Sequence, residues 1–112
     1  MERIHLGEFE EIVLLTVAVL DDHAYGIAIK TDIEERLKRN VSVGAMRTAL
    51  KRLETKGFLS SKLGEPTAMR GGKRKRFFKI TASGKRALEH VMTIRTKLWR
   101  AIPYASPDFK LI

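Results

Sequence analysis

A chain of 112 residues, with 44% apolar and 31% charged side chains, carries enough hydrophobic material for one small core and is too short for two. The absence of cysteine excludes disulfides, thiolate metal sites and cysteine nucleophiles, and suits a reducing cytoplasm. The net charge of +9 is concentrated: residues 1–40 sum to −4, residues 41–86 to +11 and residues 87–112 to +2, so the middle segment is matched to a polyanion.

The N-terminus lacks the basic-then-apolar order of an export signal. The longest apolar run, Ile12 to Leu20, is broken by Thr16 and falls short of the roughly 20 residues a bilayer span needs, so no membrane partner is expected. Ahead of it, Gly7 is placed to cap a helix whose first turn holds Glu8, Glu10 and Glu11, all favourable at the positive end of the helix dipole. This first helix is apolar on nearly every side, which predicts burial on more than one face. Asp21-Asp22-His23 ends it as a turn.

A second helix is predicted from about Tyr25 to Lys38, with Tyr25, Ile29, Ile33 and Leu37 at four-residue steps and Glu34, Glu35 and Lys38 facing water. Ser42 then caps a third helix that runs to Lys56 and is closed by Gly57. At 100° per residue, Val43, Met46, Leu50 and Leu53 gather on its inner side. Gly44, Arg47, Thr48, Lys51, Arg52 and Thr55 occupy the outer side, which is expected to hold cations, hydroxyls and one glycine but no carboxylate, with Glu54 to one side, a surface suited to a DNA groove.

Strand-like alternation over residues 58–63 and again over Arg76 to Ile80, with glycines and Pro66 between, describes a hairpin. Its tip is basic: Arg70, Lys73, Arg74, Lys75, Arg76 and Lys79 fall in ten residues without an acid, and such a run repels itself unless phosphates neutralise it. Thr81 caps a last helix of about 20 residues reaching near Ala101. Two apolar stripes run along it, one of Ala87, Val91, Ile94, Leu98 and Ile102 and one of Leu88, Met92 and Trp99. A small domain needs only one, so the surplus predicts a partner helix. The tail, residues 103–112, is apolar and has no predicted role.

His5, His23 and His90 stand at no metal-ligand spacing, and Gly71-Gly72-Lys73 lacks the first glycine and the following hydroxyl of a phosphate loop. No nucleophile, base and orienting group can be assembled, so neither a metal, a cofactor nor an enzymatic activity is expected.

Three helices, a basic hairpin and a final helix form the winged helix-turn-helix order, in which the third helix enters the major groove and the wing meets phosphate or the minor groove. The fold class expected is therefore mainly α with a two-stranded β-hairpin: a DNA-binding unit over residues 1–81, a dimerisation helix over 82–102 and the tail. Over about residues 6 to 100 the chain resembles the PadR family of transcriptional regulators, in its short form with a single C-terminal helix. The resemblance is carried by Leu6-Gly7-Glu8-Phe9-Glu10, Ala24-Tyr25-Gly26-Ile27-Ala28-Ile29, Ser42-Val43-Gly44-Ala45, Leu50-Lys51-Arg52-Leu53-Glu54-Thr55-Lys56-Gly57, the wing Arg70 to Arg76, and Thr81-Ala82-Ser83-Gly84. It implies a homodimer built from the first and last helices and, in some members, derepression by an aromatic small molecule near that interface. Many members carry tyrosine where this chain has Arg47, so base preference does not transfer.

The DNA-binding set expected on these grounds is Tyr25, Gly26, Ser42, Gly44, Arg47, Thr48, Lys51, Arg52, Lys73, Arg74, Lys75 and Arg76. Arg47, Thr48 and Lys51 are the candidates for base edges, and Tyr25 can equally be a half-buried core residue. The expected dimer interface is Phe9, Val13, Leu88, Val91, Met92, Leu98 and Trp99. Trp99 is a packing anchor, a platform for the ligand, or both. The output expected is a repressor on a roughly palindromic duplex operator. The alternative is an RNA-binding or protein-interaction winged helix.

Overall fold

The computed structural model describes residues 6–65 and 74–103. Three helices, α1 (Glu8–Leu20), α2 (Gly26–Leu37) and α3 (Val43–Thr55), are followed by a hairpin of β1 (Leu59–Leu63) and β2 (Arg76–Ile80), and then by α4 (Ala82–Ala101). A single 3-10 turn, Asp21–His23, links α1 to α2.

Each boundary has a chemical cause. Gly7 is extended, and its N–H donates to Glu10 Oε1 at 3.0 Å, which satisfies one of the orphan donors at the start of α1. Ser42 Oγ accepts from the Ala45 N–H at 3.0 Å and starts α3. Gly57, at φ 79°, ends that helix. The Phe58 N–H donates to Leu53 O and the Gly57 N–H to Glu54 O, both at 2.9 Å, the paired closure that a left-handed glycine permits. Lys38, with φ 53°, stops α2 in the same left-handed region.

Glu34 was expected in water, but its carboxylate is half-buried and accepts from the Val41 N–H at 2.9 Å while pairing with Lys30 at 3.1 Å. It thereby pins the loop that leads into α3. The Val41 amide first and Lys30 second hold this carboxyl below its ordinary value.

The hairpin is antiparallel, with Leu59 opposite Ile80 and Ser61 opposite Phe78. Leu59 and Phe78 turn into the core, where they meet Val13, Leu14, Val17, Ile29, Ile33, Met46 and Leu53. Tyr25 precedes α2 rather than belonging to it: it forms an isolated bridge with Phe77 of β2, and the Phe78 N–H donates to Ala24 O at 2.8 Å. The α2 start is thus stitched to the wing. Leu37, assigned to the buried stripe of α2, is exposed near the helix end, beyond the reach of its neighbours.

Thr81 joins the wing to α4. Its Oγ1 accepts from the Gly84 N–H at 3.0 Å and donates to Gly57 O at 2.6 Å. Gly84 lies so close to β1 that a Cβ there would strike the Phe58 carbonyl oxygen and come within 2.9 Å of Ile80 Cγ1. The first turns of α4 bury Ala87 and Leu88, whereas every residue from Thr93 to Ala101 is exposed. Among the described residues, no helix is long and apolar enough to cross a membrane.

Candidate nucleic-acid interface

The start of α2, the outer side of α3 and the base of the wing enclose one cleft of about 460 Å³. Tyr25, just ahead of α2, and Gly26 at its start line it on one side, Arg47 and Lys51 from α3, and Arg74, Lys75 and Arg76 from the wing. A second, shallower groove flanks α3 on its other side, where Gly44, Thr48, Arg52 and again Lys51 face the first turn of α1. The third helix therefore stands as a ridge between two grooves with its cationic side outward. Arg47, Thr48, Lys51 and Arg52 are all exposed.

The pattern of ion pairs sharpens this surface. Six carboxylates from the acidic first third of the chain form ion pairs: Glu8 with Arg39, Glu10 with Lys56, Glu11 with Arg95, Asp22 with Lys79, Asp32 with Arg36 and Glu34 with Lys30, and of these paired cations Lys30 alone lines the cleft. Among the described residues none of these ion pairs involves Arg47, Lys51, Arg52 or Arg74. Of the cations that line the cleft, Lys30 is paired with Glu34, whereas Arg47 and Lys51 of α3 and Arg74, Lys75 and Arg76 of the wing form none of these ion pairs.

Tyr25 is half-buried, packed edge-to-face on Phe77 at 5.6 Å, with Lys75 Nζ 4.1 Å from its ring centroid. It is both a packing residue and the seat of a wing cation. The Ser42 hydroxyl caps α3. Gly26 and Gly44 have nothing within 4 Å of where a Cβ would project. Lys73 and Arg70 lie outside the described residues, as do residues 104–112 of the tail.

Two features were not read from the sequence. Glu54 lies seven residues after Arg47 and on the same side of α3, where it lines the same cleft, so the outer side is not free of carboxylate. Arg76 donates to Ser61 Oγ at 3.1 Å and Ser61 donates to Glu54 at 2.7 Å, a chain that ties the wing to the end of α3. Val43, assigned to the inner side of α3, is 61% exposed and lines the cleft instead.

The expected dimer residues divide. Val13 is fully buried and Leu88 nearly so, both within this chain's own core, which corrects their assignment to an intermolecular surface. Phe9 is half-buried on the α3 side of α1, beneath the Arg39 guanidinium at 5.5 Å from the ring centroid, away from α4. Val91 and Met92 are half-buried, and Leu98 and Trp99 are 66% and 63% exposed, with Arg95 and Ile102 bordering the same shallow groove. Leu15 and Val19 on α1 are also exposed. They follow Glu11 at four-residue steps, so they share the side of α1 from which Glu11 takes two hydrogen bonds from Arg95 at 3.0 and 2.8 Å.

Comparison with known proteins places this geometry. The model of the transcriptional regulator PadR-like family matches residues 14–90. A PadR family transcription regulator from Clostridium difficile is 30% identical, with a TM-score of 0.56 over 84% of this chain and 92% of its own. A PadR-like transcription factor from Bacteroides fragilis has the same fold, with a TM-score of 0.70 at 22% identity over 88% of this chain and 89% of its own. Bacillus subtilis PadR, solved in complex with operator DNA, aligns with a TM-score of 0.62 at 19% identity, covering 76% of this chain and 46% of that one. No curated protein matches the sequence. The family's members are transcriptional regulators and not enzymes, and this chain, a winged helix with a two-stranded hairpin, belongs to that PadR-like family.

Proposed function

We propose that two copies of this chain bind duplex DNA as a homodimer, laying their α3 helices into successive major-groove segments of a roughly palindromic operator and repressing transcription by occupying it. The observation that carries the reading is the single cleft, floored by the start of α2, into which α3 and the wing bring Arg47, Lys51, Arg74, Lys75 and Arg76, cations outside the chain's own ion pairs among the described residues. Arg47, Thr48 and Lys51 address base edges, and Arg52 with Arg74, Lys75 and Arg76 addresses phosphate, as does the N-terminal end of α2 at Gly26. Lys73 belongs to the same wing set by its sequence position.

Dimerisation rests on the exposed half of α4, with Leu98 and Trp99 the largest apolar side chains there, and on Leu15 and Val19 of α1. A monomer would leave this surface wet. An aromatic effector seated by Trp99 would act only by preferring one spacing of the two α3 helices over another. The site of action in this reading is the cytoplasm.

Selection of bound fragments from random duplex DNA tests the whole reading. An enriched inverted repeat, together with a sedimentation mass twice that of the chain, is the expected result, and Arg47→Ala shifts the base preference within it. Enrichment of RNA hairpins over duplex DNA, or nucleic-acid affinity that ignores salt, rejects it in favour of an RNA reader or a protein adaptor.

A further inference from the structure

We infer that Val43 is a specificity residue that reads the 5-methyl group of a thymine in each half-site, an inference that rests on the DNA-binding reading above. The starting point is a side chain in the wrong place for packing. Val43 is the first residue of α3, 61% exposed, and a branched apolar residue at an exposed helix position gains nothing from the fold that a polar one would not. It opens onto the cleft beside Ile27 of α2, which is 58% exposed. Both are exposed apolar side chains in a lining that also holds Arg47, Lys51 and Arg74.

That combination selects one kind of occupant. An apolar peptide or helix would have no use for Arg47, Lys51 and Arg74 around it, whereas DNA has both the charge and one matching group: the thymine methyl is the apolar feature of the major-groove edge. Residues at the start of the recognition helix are the ones that reach base edges in helix-turn-helix proteins. The local geometry is set in advance. Ser42 caps the helix through the Ala45 N–H at 3.0 Å, so the Val43 turn is fixed before DNA arrives. Gly44, with open space where a Cβ would point, removes bulk on the neighbouring position and lets this turn approach closely.

The spacing fixes what the half-site looks like. Val43 and Arg47 are four residues apart on one side of α3, about 6 Å along the axis, and successive base pairs rise about 3.4 Å. The thymine read by Val43 therefore falls within about two base pairs of the base read by Arg47.

The test uses the full chain and the duplex recovered by selection. Each thymine is replaced in turn by deoxyuridine, which removes only the methyl, and affinity is measured by fluorescence anisotropy. One thymine per half-site is expected to lose about fourfold on replacement, the equivalent of one buried methyl group. In Val43→Ser that loss disappears at this position and persists elsewhere, while non-specific, salt-dependent affinity and the thermal melt match the parent, since the side chain is exposed and outside the core. An inverted repeat in which no thymine methyl is coupled to Val43 overturns this inference alone. Recovery of no duplex at all overturns the DNA reading and takes this inference with it.

Discussion

Arg74 and Arg76 offer the most direct measure of what the wing contributes. Both are exposed, neither has a carboxylate partner within ion-pair distance among the described residues, and they flank the cleft opposite Arg47 and Lys51. A cation that neutralises one phosphate adds about 0.9 to the slope of log affinity against log salt, so Arg74→Ala with Arg76→Ala lowers that slope by about 1.8 per bound protomer. Between 50 and 200 mM salt this shrinks the fall in affinity by a factor of about 12. The assay is anisotropy on a non-specific duplex at four or five salt concentrations, with circular dichroism to confirm the fold. Ser61→Ala is the control, because it breaks the Arg76–Ser61–Glu54 chain without removing a cation and leaves the slope near that of the parent. An unchanged slope in the double variant would refute the argument that these side chains touch phosphate, whatever happened to the affinity itself.

Three further outcomes follow from the packing and the ion pairs. Gly84→Ala drives a methyl into the Phe58 carbonyl and costs about 1–3 kcal/mol of stability, read as a lowered Tm; an unshifted melt would mean that α4 and β1 separate freely. Leu53→Ala, at a fully buried position, costs about 2–5 kcal/mol by urea unfolding, and a loss below 1 kcal/mol would show that the core around α3 repacks. Glu34 and Glu10 are both held below the ordinary glutamate value in the folded chain: the Val41 amide and Lys30 act on Glu34, while on Glu10 burial pushes upward and is outweighed by Lys56 and the Gly7 N–H. The unfolded chain therefore takes up these protons first, so their contribution is complete above the ordinary glutamate range and is lost as pH falls through the lower folded-state values. Glu34→Gln should flatten the acid limb of a urea-midpoint profile, and an unchanged limb would remove Glu34 from the account.

Local chemistry was legible in the sequence wherever it is local. Ser42 and Thr81 cap helices through their own hydroxyls, Gly57 takes the left-handed φ that ends α3, and the two strands pair in one hairpin. The outer side of α3 was legible as well, because a run of exposed cations at helical spacing has no competing use in the core. What failed was the reach of neighbouring elements. Periodicity put Val43 on the buried side of α3 and Leu37 on that of α2, but each sits at the end of its helix, where nothing extends over it. Val13 and Leu88 failed in the opposite sense. Apolar surplus on α1 and α4 was assigned to a partner, yet these two are consumed by the chain's own core, and the exposed surplus lies on Leu15, Val19, Leu98 and Trp99. A single strip of sequence records how much apolar surface a helix carries, not which part its own fold will cover. The Glu54–Ser61–Arg76 chain was illegible for a related reason, since it joins a helix to two strands and depends on a register that no local spacing encodes.

The acidic first third of the chain gives the basic segment its character. Adjacent carboxylates on α1 reach in two directions, Glu10 to Lys56 just past α3 at 2.6 Å and Glu11 to Arg95 on α4 at 2.8 Å. A one-residue step on a helix turns the side chain by 100°, so one turn of α1 braces both the recognition helix and the helix proposed to dimerise. Both carboxylates are largely buried, and a buried carboxylate without a partner is costly, so each pair constrains the position of the element that supplies its cation. Pairs of this kind are weak sources of net stability and better suited to fixing one arrangement among several. In a protein that must hold two α3 helices at the spacing of an operator, the consequence is geometric: a shift of α4 against α1 strains the same helix that carries the contact to the end of α3. These two acids thus neutralise cations at the joints between elements, while Arg47, Lys51 and Arg52 on the outer side of α3 and Arg74 and Arg76 on the wing stay outside the ion pairs of the described residues.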